Sequence, residues 1–418
     1  MPMPSALRAA LRSPLLPFWL VIALLPFGRS AELGTALCLL GAAWWLYRDP
    51  RALRGHAGAR LLLWLLGAYV GAALLSAFAA VAPGKSWGTV AALPRYVPLG
   101  LYACLAVRRA GRPAALYAAV AAVLALWTLD AWVQILTGWS LGGPAEAERI
   151  SGIFGAGNLK LGPALAVLSP FALWTARRRF GRTGLVLAFL LLLGPVLLAG
   201  ARSAWLCYAL VALGFAWREA GSARRFLALA AAGAAALALA GLLAWHASGR
   251  FHARMERTLA ALHGGGAGLD QALTGRLEIW RASLRMIQAH PVTGVGVRGF
   301  RYAYPQVAPP GDHFLVAESC GAGEGACHAH QLVLEVLAET GIVGLALWLA
   351  AAALALRAWR RAGAAARARA FPATLALGAM LFPLNSHLAF YSAWWGLLFA
   401  WLLGLWCAAL HAEADDAA

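Results

Sequence analysis

Apolar runs of about twenty residues, separated by short clusters of Arg, recur along nearly the whole chain. A helix of that length crosses the hydrocarbon of a bilayer. Inside hydrocarbon every backbone polar group must be satisfied within the structure, which leaves bundled helices as the fold for such a pattern. Twelve spans are read, over roughly 14–29, 31–47, 61–81, 88–107, 114–137, 159–176, 184–200, 203–217, 226–246, 331–356, 371–387 and 393–410. Charged residues make up 12% of the 418, about half of what a soluble domain carries. The expected class is an all-α polytopic membrane protein.

The charge pattern gives an orientation. The formal net charge is +18, and only Lys85 and Lys160 among the 35 basic residues are Lys. The Arg residues cluster in alternate connections: Arg48, Arg51, Arg54 and Arg60; Arg108, Arg109 and Arg112; Arg177, Arg178, Arg179 and Arg182; Arg218, Arg224 and Arg225; Arg357, Arg360, Arg361, Arg367 and Arg369. The positive-inside rule puts these connections and both termini in the cytoplasm. Positive charge held in short clusters between spans is a membrane signature, so no nucleic-acid partner is expected. The first run, after Arg8 and Arg12, lacks a convincing small-residue cleavage site and is read as a span that stays.

The expected organisation is nine spans over 1–247, a large loop over 248–330, three spans over 331–410 and a short acidic tail over 411–418. The loop falls on the face opposite the Arg clusters, the periplasmic side of a bacterial inner membrane. Within it, Phe251, Met255, Leu259 and Leu262 oppose Arg250, Arg254 and Arg257, the pattern of a helix lying on the membrane surface. Residues 270–289 read as a second helix, ended at His290 and Pro291. VTGVGVRGF is a Gly-rich turn; it lacks the GxGxxG spacing and preceding strand of a nucleotide loop. Cys38, Cys104, Cys207 and Cys407 lie in apolar runs and read as small hydrophobes. Cys320 and Cys327 are free to pair if their compartment is oxidising.

Candidate reactive residues gather at the loop face. His330 begins the tenth span; its ordinary pKa near 6.5 suits it to take a proton, and its plain alternative is an interfacial cap. His328 is a weaker candidate of the same kind. Arg202, in LLAGARSAW, sits between two apolar runs and must snorkel or face a wet cavity. Arg276, in TGRLEIW, joins it: several guanidinium forks suit a phosphate or diphosphate. Arg298 and Arg301 stand in reserve, since a loop Arg is usually a solvated charge. Lys85, in APGKSWG, is an outer-face cation near a span end that suits an anionic headgroup. Asp130 lies within the fifth span and needs a partner, for which an outer-face Arg is the natural choice. Glu335 and Glu339, four apart, are placed to orient His330 or pair with Arg. No DxD pair is present to hold Mg²⁺, so Arg and Lys would have to supply the charge. No metal site and no cofactor are expected.

The motifs carry a resemblance. HAHQLVLEVLAETGIVG resembles the HNxxLxxLxExGxxG signature of the O-antigen ligase/polymerase superfamily. TGRLEIW followed by HPVTGVGVRGF is similar to its GRxxxW…HPxxGxGxGxF stretch, GARSAW to its SRxxW element, and GIFGAGNLK to its GxFxNPN stretch. They occur in family order over roughly residues 150–345, with Gln331 where Asn is usual and GAGN in place of NPN. The resemblance implies a glycosyltransferase of GT-C-like architecture acting on a lipid-linked donor. The donor would be undecaprenyl-diphosphate-linked O-antigen and the acceptor lipid A-core, in lipopolysaccharide biosynthesis. His330, Arg276 and Arg202 would be catalytic; Lys85, His328, Arg298, Arg301, Asp130 and Glu339 would bind substrate. Polymerase and protein O-oligosaccharyltransferase siblings share the signature. One large loop between spans nine and ten, and no added C-terminal domain, favour the ligase. A transporter of polyprenyl-linked sugar, without chemistry, is the reading from a different class; polar groups at one face and the absence of a repeat weigh against it.

Overall fold

The computed structural model describes residues 12–111, 113–147, 149–247, 249, 251–253, 255, 256, 259, 270, 274–386 and 388–412. The described part is mainly helix. In chain order the helices are α1 (Leu16–Ala23), α2 (Ala31–Arg48), α3 (Ala57–Ala77), α4 (Pro83–Ala92), α5 (Tyr96–Ala110), α6 (Pro113–Thr137), α7 (Leu161–Leu198), α8 (Arg202–Ala220), α9 (Ala223–Ala247), α10 (Arg276–Ala289), α11 (Phe300–Val307), α12 (His313–Val316), α13 (Leu332–Arg361), α14 (Ala364–Met380) and α15 (Ala393–Leu410). The sheet among the described residues is a two-residue antiparallel pair, Trp139–Ser140 with Gly143–Pro144.

By length and composition, seven helical segments among the described residues can cross a membrane: α3, Pro83–Ala110 as one unit, α6, α7, α9, α13 and α15. The chain is therefore a multi-pass membrane protein. Two of the twelve expected spans, 159–176 and 184–200, lie together in α7, which breaks at Gly181 (φ 68°). The run over 14–29 is helical only across Leu16–Ala23 before a series of turns. Helix α9 has no buried residue and exposes Leu227, Leu239, Leu242 and Leu243. A continuous apolar surface of this kind is expected where lipid, not water, surrounds it. Much of the amphipathic stretch expected over 250–262 lies outside the described residues.

The chain divides into two compact units. One comprises Met1–Val120, Ala282–Leu377 and Ala389–Ala418; the other comprises Ala121–Arg281 and Gly378–Leu388. In the first, α13 packs on α3 and α15 packs on α5. Gly404 lets α15 approach closely: a Cβ there would stand 2.8 Å from the Gly100 Cα. Several tyrosine and tryptophan polar atoms inside this unit are tied to backbone carbonyls, as Trp401 Nε1 is to Phe18 O at 2.7 Å. In the second unit, α7 packs on α8 and α8 on α9. Trp132 Nε1 donates to Leu191 O (2.8 Å), joining α6 to α7.

Candidate active site

Helix α13 is broken at Gly341 (φ 64°, ψ −165°), two turns from its start. The break frees carbonyls and amides that a continuous helix would use internally. The Gly-rich turn after Pro291 takes them. Val295 N donates to Ala338 O (2.8 Å) and Gly296 N to Glu339 O (3.0 Å); in return Ile342 N donates to Pro291 O (2.9 Å) and Val343 N to Val292 O (3.2 Å). The glycines are there for contact as well as for φ. A Cβ on Gly294 would meet Ala338 O at 2.6 Å, and one on Gly341 would meet Thr293 N at 2.6 Å. The α3–α4 junction grips the same turn: Val81 N donates to Val295 O (2.9 Å), Val297 N to Ser76 Oγ (3.0 Å), and Ser86 Oγ to Val297 O (2.9 Å).

This braid sets Arg298 in place. Its backbone is left-handed (φ 58°), and its amide donates to Glu339 Oε2 (2.9 Å). Its Nη1 is buried with no hydrogen-bond partner among the described residues. Arg298 lines a cavity of about 350 Å³ with Lys85, Arg95, Thr89, Tyr96 and Tyr391. Among the described residues no carboxylate lines it. One of the three cations, Arg95, is answered from outside the lining by Glu32 at 3.2 Å. Lys85 has no ion-pair partner among the described residues, and Arg298, beside the Glu339 carboxylate, keeps its Nη1 without a hydrogen-bond partner among them, which suits an anion. Burial holds the Tyr391 hydroxyl well above its ordinary pKa, so it stays neutral, and it donates to Tyr69 O (3.3 Å).

His328 and His330 stand just ahead of α13. His330 adopts φ 54°, a left-handed conformation uncommon outside glycine. Its amide donates to His328 Nδ1 (3.2 Å), and the two rings lie 3.9 Å apart. Gln331 is the N-cap of α13; its side chain accepts from Leu334 N at 2.6 Å. The amide at this position is thus a helix cap, a role the longer Gln side chain fills here. Glu335, fully buried, accepts from Phe390 N (2.8 Å) and lies 3.5 Å from His328 Nδ1. Glu335 thus faces His328, and Glu339 faces Arg298. Cys320 and Cys327 are disulfide-bonded, closing the loop that leads into His328. Arg301 pairs with Glu324 inside that loop (3.5 Å), so its charge is spent on holding the loop.

The other unit carries its own basic pair. Arg202 begins α8 and Arg276 begins α10. Burial, and then the Arg202 charge, lowers the Arg276 pKa to about 10. Arg276 remains a cation at neutral pH, held beside a like charge, an arrangement an anion relieves. Among the described residues Asp130 does not find the expected Arg. Its Oδ1 accepts from Leu141 N (2.8 Å), while Oδ2 is buried without a hydrogen-bond partner among the described residues. Gln134, one turn on, accepts from Ser151 N (2.9 Å) and Gly152 N (2.8 Å). Asp130 and Gln134 therefore order the segment around the GIFGAGN stretch, and neither holds a cation. Asn158 Oδ1 accepts from Lys160 N (3.1 Å) just before α7.

Two cavity residues, Arg95 and Tyr391, were not singled out by sequence. Arg95 follows Pro94 in an apolar run and reads as a stray span-end charge. Tyr391 lies in LAFYSAWW, which carries no polar signal.

No curated protein matches the chain. Residues 187–349 match the family model described as O-Antigen ligase. The matched stretch contains Arg202, Arg276, Arg298, His328, His330, Glu335, Glu339 and the break at Gly341, whereas Lys85, Arg95, Asp130 and Tyr391 lie outside it. The match covers 187–349 of the 418 residues and is consistent with a member of the O-antigen ligase/polymerase superfamily.

Proposed function

We propose that this protein is an O-antigen ligase of the bacterial inner membrane. It transfers O-antigen from undecaprenyl diphosphate to a sugar of lipid A-core at the periplasmic face. The observation that carries the reading is the cavity holding Lys85, Arg95 and Arg298, with a buried guanidinium nitrogen lacking a hydrogen-bond partner and no lining carboxylate among the described residues. It is tied through Glu339 and α13 to the segment bearing His330. A cavity rich in cations, joined by one helix to a residue able to take a proton, suits attack on a sugar diphosphate.

His330 takes the proton from the acceptor hydroxyl. The acceptor oxygen forms a bond to the anomeric carbon as the bond from that carbon to the phosphate oxygen breaks. Undecaprenyl diphosphate leaves with the bonding pair, and the guanidinium groups stabilise the charge that develops on it. Displacement at the anomeric carbon inverts its configuration. Arg276 and Arg202, in the other unit, keep the anion-binding role that the resemblance implies for them, and His328 with Glu335 is assigned to positioning the segment that carries the base. The reaction needs no metal if the cations supply the charge.

The test mixes purified protein with undecaprenyl-diphosphate-linked O-antigen and lipid A-core in EDTA and follows both on a gel. A ladder on lipid A-core is expected. His330→Ala should abolish it, a loss of at least about a hundredfold, while donor binding persists. Near-normal ligation by His330→Ala refutes the base assignment. Polymerised donor or glycosylated protein in place of the ladder moves the function to a sibling activity.

A further inference from the structure

A second cavity lies at the other end of the α5–α15 pair. It also measures about 350 Å³ and is lined by Arg54, Gly55, His56, Ala57, Cys104, Arg108, His411 and Ala412. Tyr96 and Ala393, at the starts of α5 and α15, line the first cavity; Cys104 and Arg108 near the end of α5, and His411 just past α15, line this one. Along α5 the lining residues Tyr96 and Cys104 are roughly 12 Å apart, and Tyr96 and Arg108 roughly 18 Å.

Among the described residues its polar side chains are mainly basic, two Arg and two His, with no carboxylate. Arg108 Nη1 donates to Ala52 O (3.0 Å), which fixes its direction and leaves its charge unanswered. The Arg54 guanidinium has no ion-pair partner among the described residues. His56 Nδ1 accepts from Ala59 N (3.2 Å), so its Nε2 carries the hydrogen and is a donor. His411 Nδ1 lies 3.1 Å from the Cys407 carbonyl, which only accepts, so that nitrogen carries a hydrogen.

The place of the cavity decides what fills it. It lies at the ends of three segments able to cross a membrane: the start of α3 and the ends of Pro83–Ala110 and α15. Ends of spans lie at headgroup depth, and basic pockets between span ends take anionic headgroups. Nearby, Arg48 lies over Trp44 (4.5 Å) and Arg109 over Trp45 (4.3 Å), an aromatic and basic border typical of the interface. Farther along α3, Leu63 and Trp64 are exposed, giving acyl chains an apolar surface to follow.

We propose that this cavity binds the phosphate of an anionic phospholipid, at a site separate from the candidate active site. The full chain, purified in neutral detergent, is offered phosphatidylglycerol, phosphatidylcholine or inorganic phosphate, and retention is read by native mass spectrometry. Phosphatidylglycerol should be retained over phosphatidylcholine. The double variant Arg54→Ala, Arg108→Ala should lower its retention roughly thirtyfold, from the contribution of two interfacial cations. The control Arg224→Ala, Arg225→Ala removes as much charge from another connection and should leave retention unchanged. Ala57→Phe, at an exposed lining position, fills the cavity while keeping all four basic residues and should also lower retention. Equal loss in the control pair, retention unaffected by Ala57→Phe, or displacement of the lipid by inorganic phosphate would each overturn the proposal. A chain ending at Ala412 lacks Glu413, Asp415 and Asp416 and should retain lipid as the full chain does. A large rise there would show that the cations belong to the chain's own tail.

Discussion

Replacing Gly341 with Ala tests whether the broken helix is what builds the site. Gly341 sits at φ 64°, ψ −165°, a region essentially reserved for glycine, where an L side chain costs about 1–3 kcal/mol. The added methyl would also run into the backbone at Val292 and Thr293, which cannot swing aside as a flexible side chain can. The chain must give, and the segment free to give is the Gly-rich turn. Four hydrogen bonds cross the break, from Val295, Gly296, Ile342 and Val343. At about 1 kcal/mol each, losing two to four of them plus the strain comes to roughly 3–7 kcal/mol. That is enough to displace the turn, while the α5–α15 and α3–α13 packing is left in place. Arg298 rides on this turn, and a displacement of about 1 Å in a reacting constellation costs on the order of a hundredfold in rate. The expected result is normal membrane insertion, a lowered thermal midpoint, and ligation reduced about a hundredfold. Gly67→Ala, with open space around its Cβ position, is the control and should be silent. Wild-type ligation by the Gly341→Ala protein would refute the argument that the break sets the site.

Arg298→Ala should raise the donor KM by roughly ten- to a hundredfold, the worth of charge-assisted hydrogen bonds to one guanidinium, and Arg298→Lys should recover part of it; an unchanged KM removes Arg298 from the anion site. Opening the Cys320–Cys327 disulfide, by reductant or by Ser at both positions, should cost the loop about 2 kcal/mol and slow ligation, because His328 follows Cys327 directly. Wild-type rates under reductant would show that this bridge does not hold the histidines. Arg276, with its pKa lowered to about 10 by burial and Arg202, loses its charge at lower pH than an ordinary Arg. Donor binding should therefore weaken as pH rises through about 10, and Arg202→Gln should move that midpoint upward; a midpoint unmoved by this change would show that Arg202 does not act on Arg276.

The apolar runs and Arg clusters determine a helical membrane protein, because hydrocarbon admits few backbone solutions. Most of the expected spans coincide with helices, since length and composition decide them locally. His330, Arg202, Arg276 and Lys85 stood out because a charge or titratable group beside an apolar run needs a reason. The Cys320–Cys327 pairing and the cap role of Gln331 were matters for the tertiary structure. So was the use of Gly294 and Gly341: sequence marks them as turn residues, but only the fold shows a turn and a broken helix exchanging hydrogen bonds. Asp130 shows the limit of reading charge by charge, for its partner is the Leu141 amide, a group every residue carries. Arg95 and Tyr391 reach their cavity from segments distant in sequence from Arg298, and no local pattern records that meeting. Local chemistry fixes which segments are helices and which groups are costly to bury. Which costly groups share one cavity is set by long-range packing.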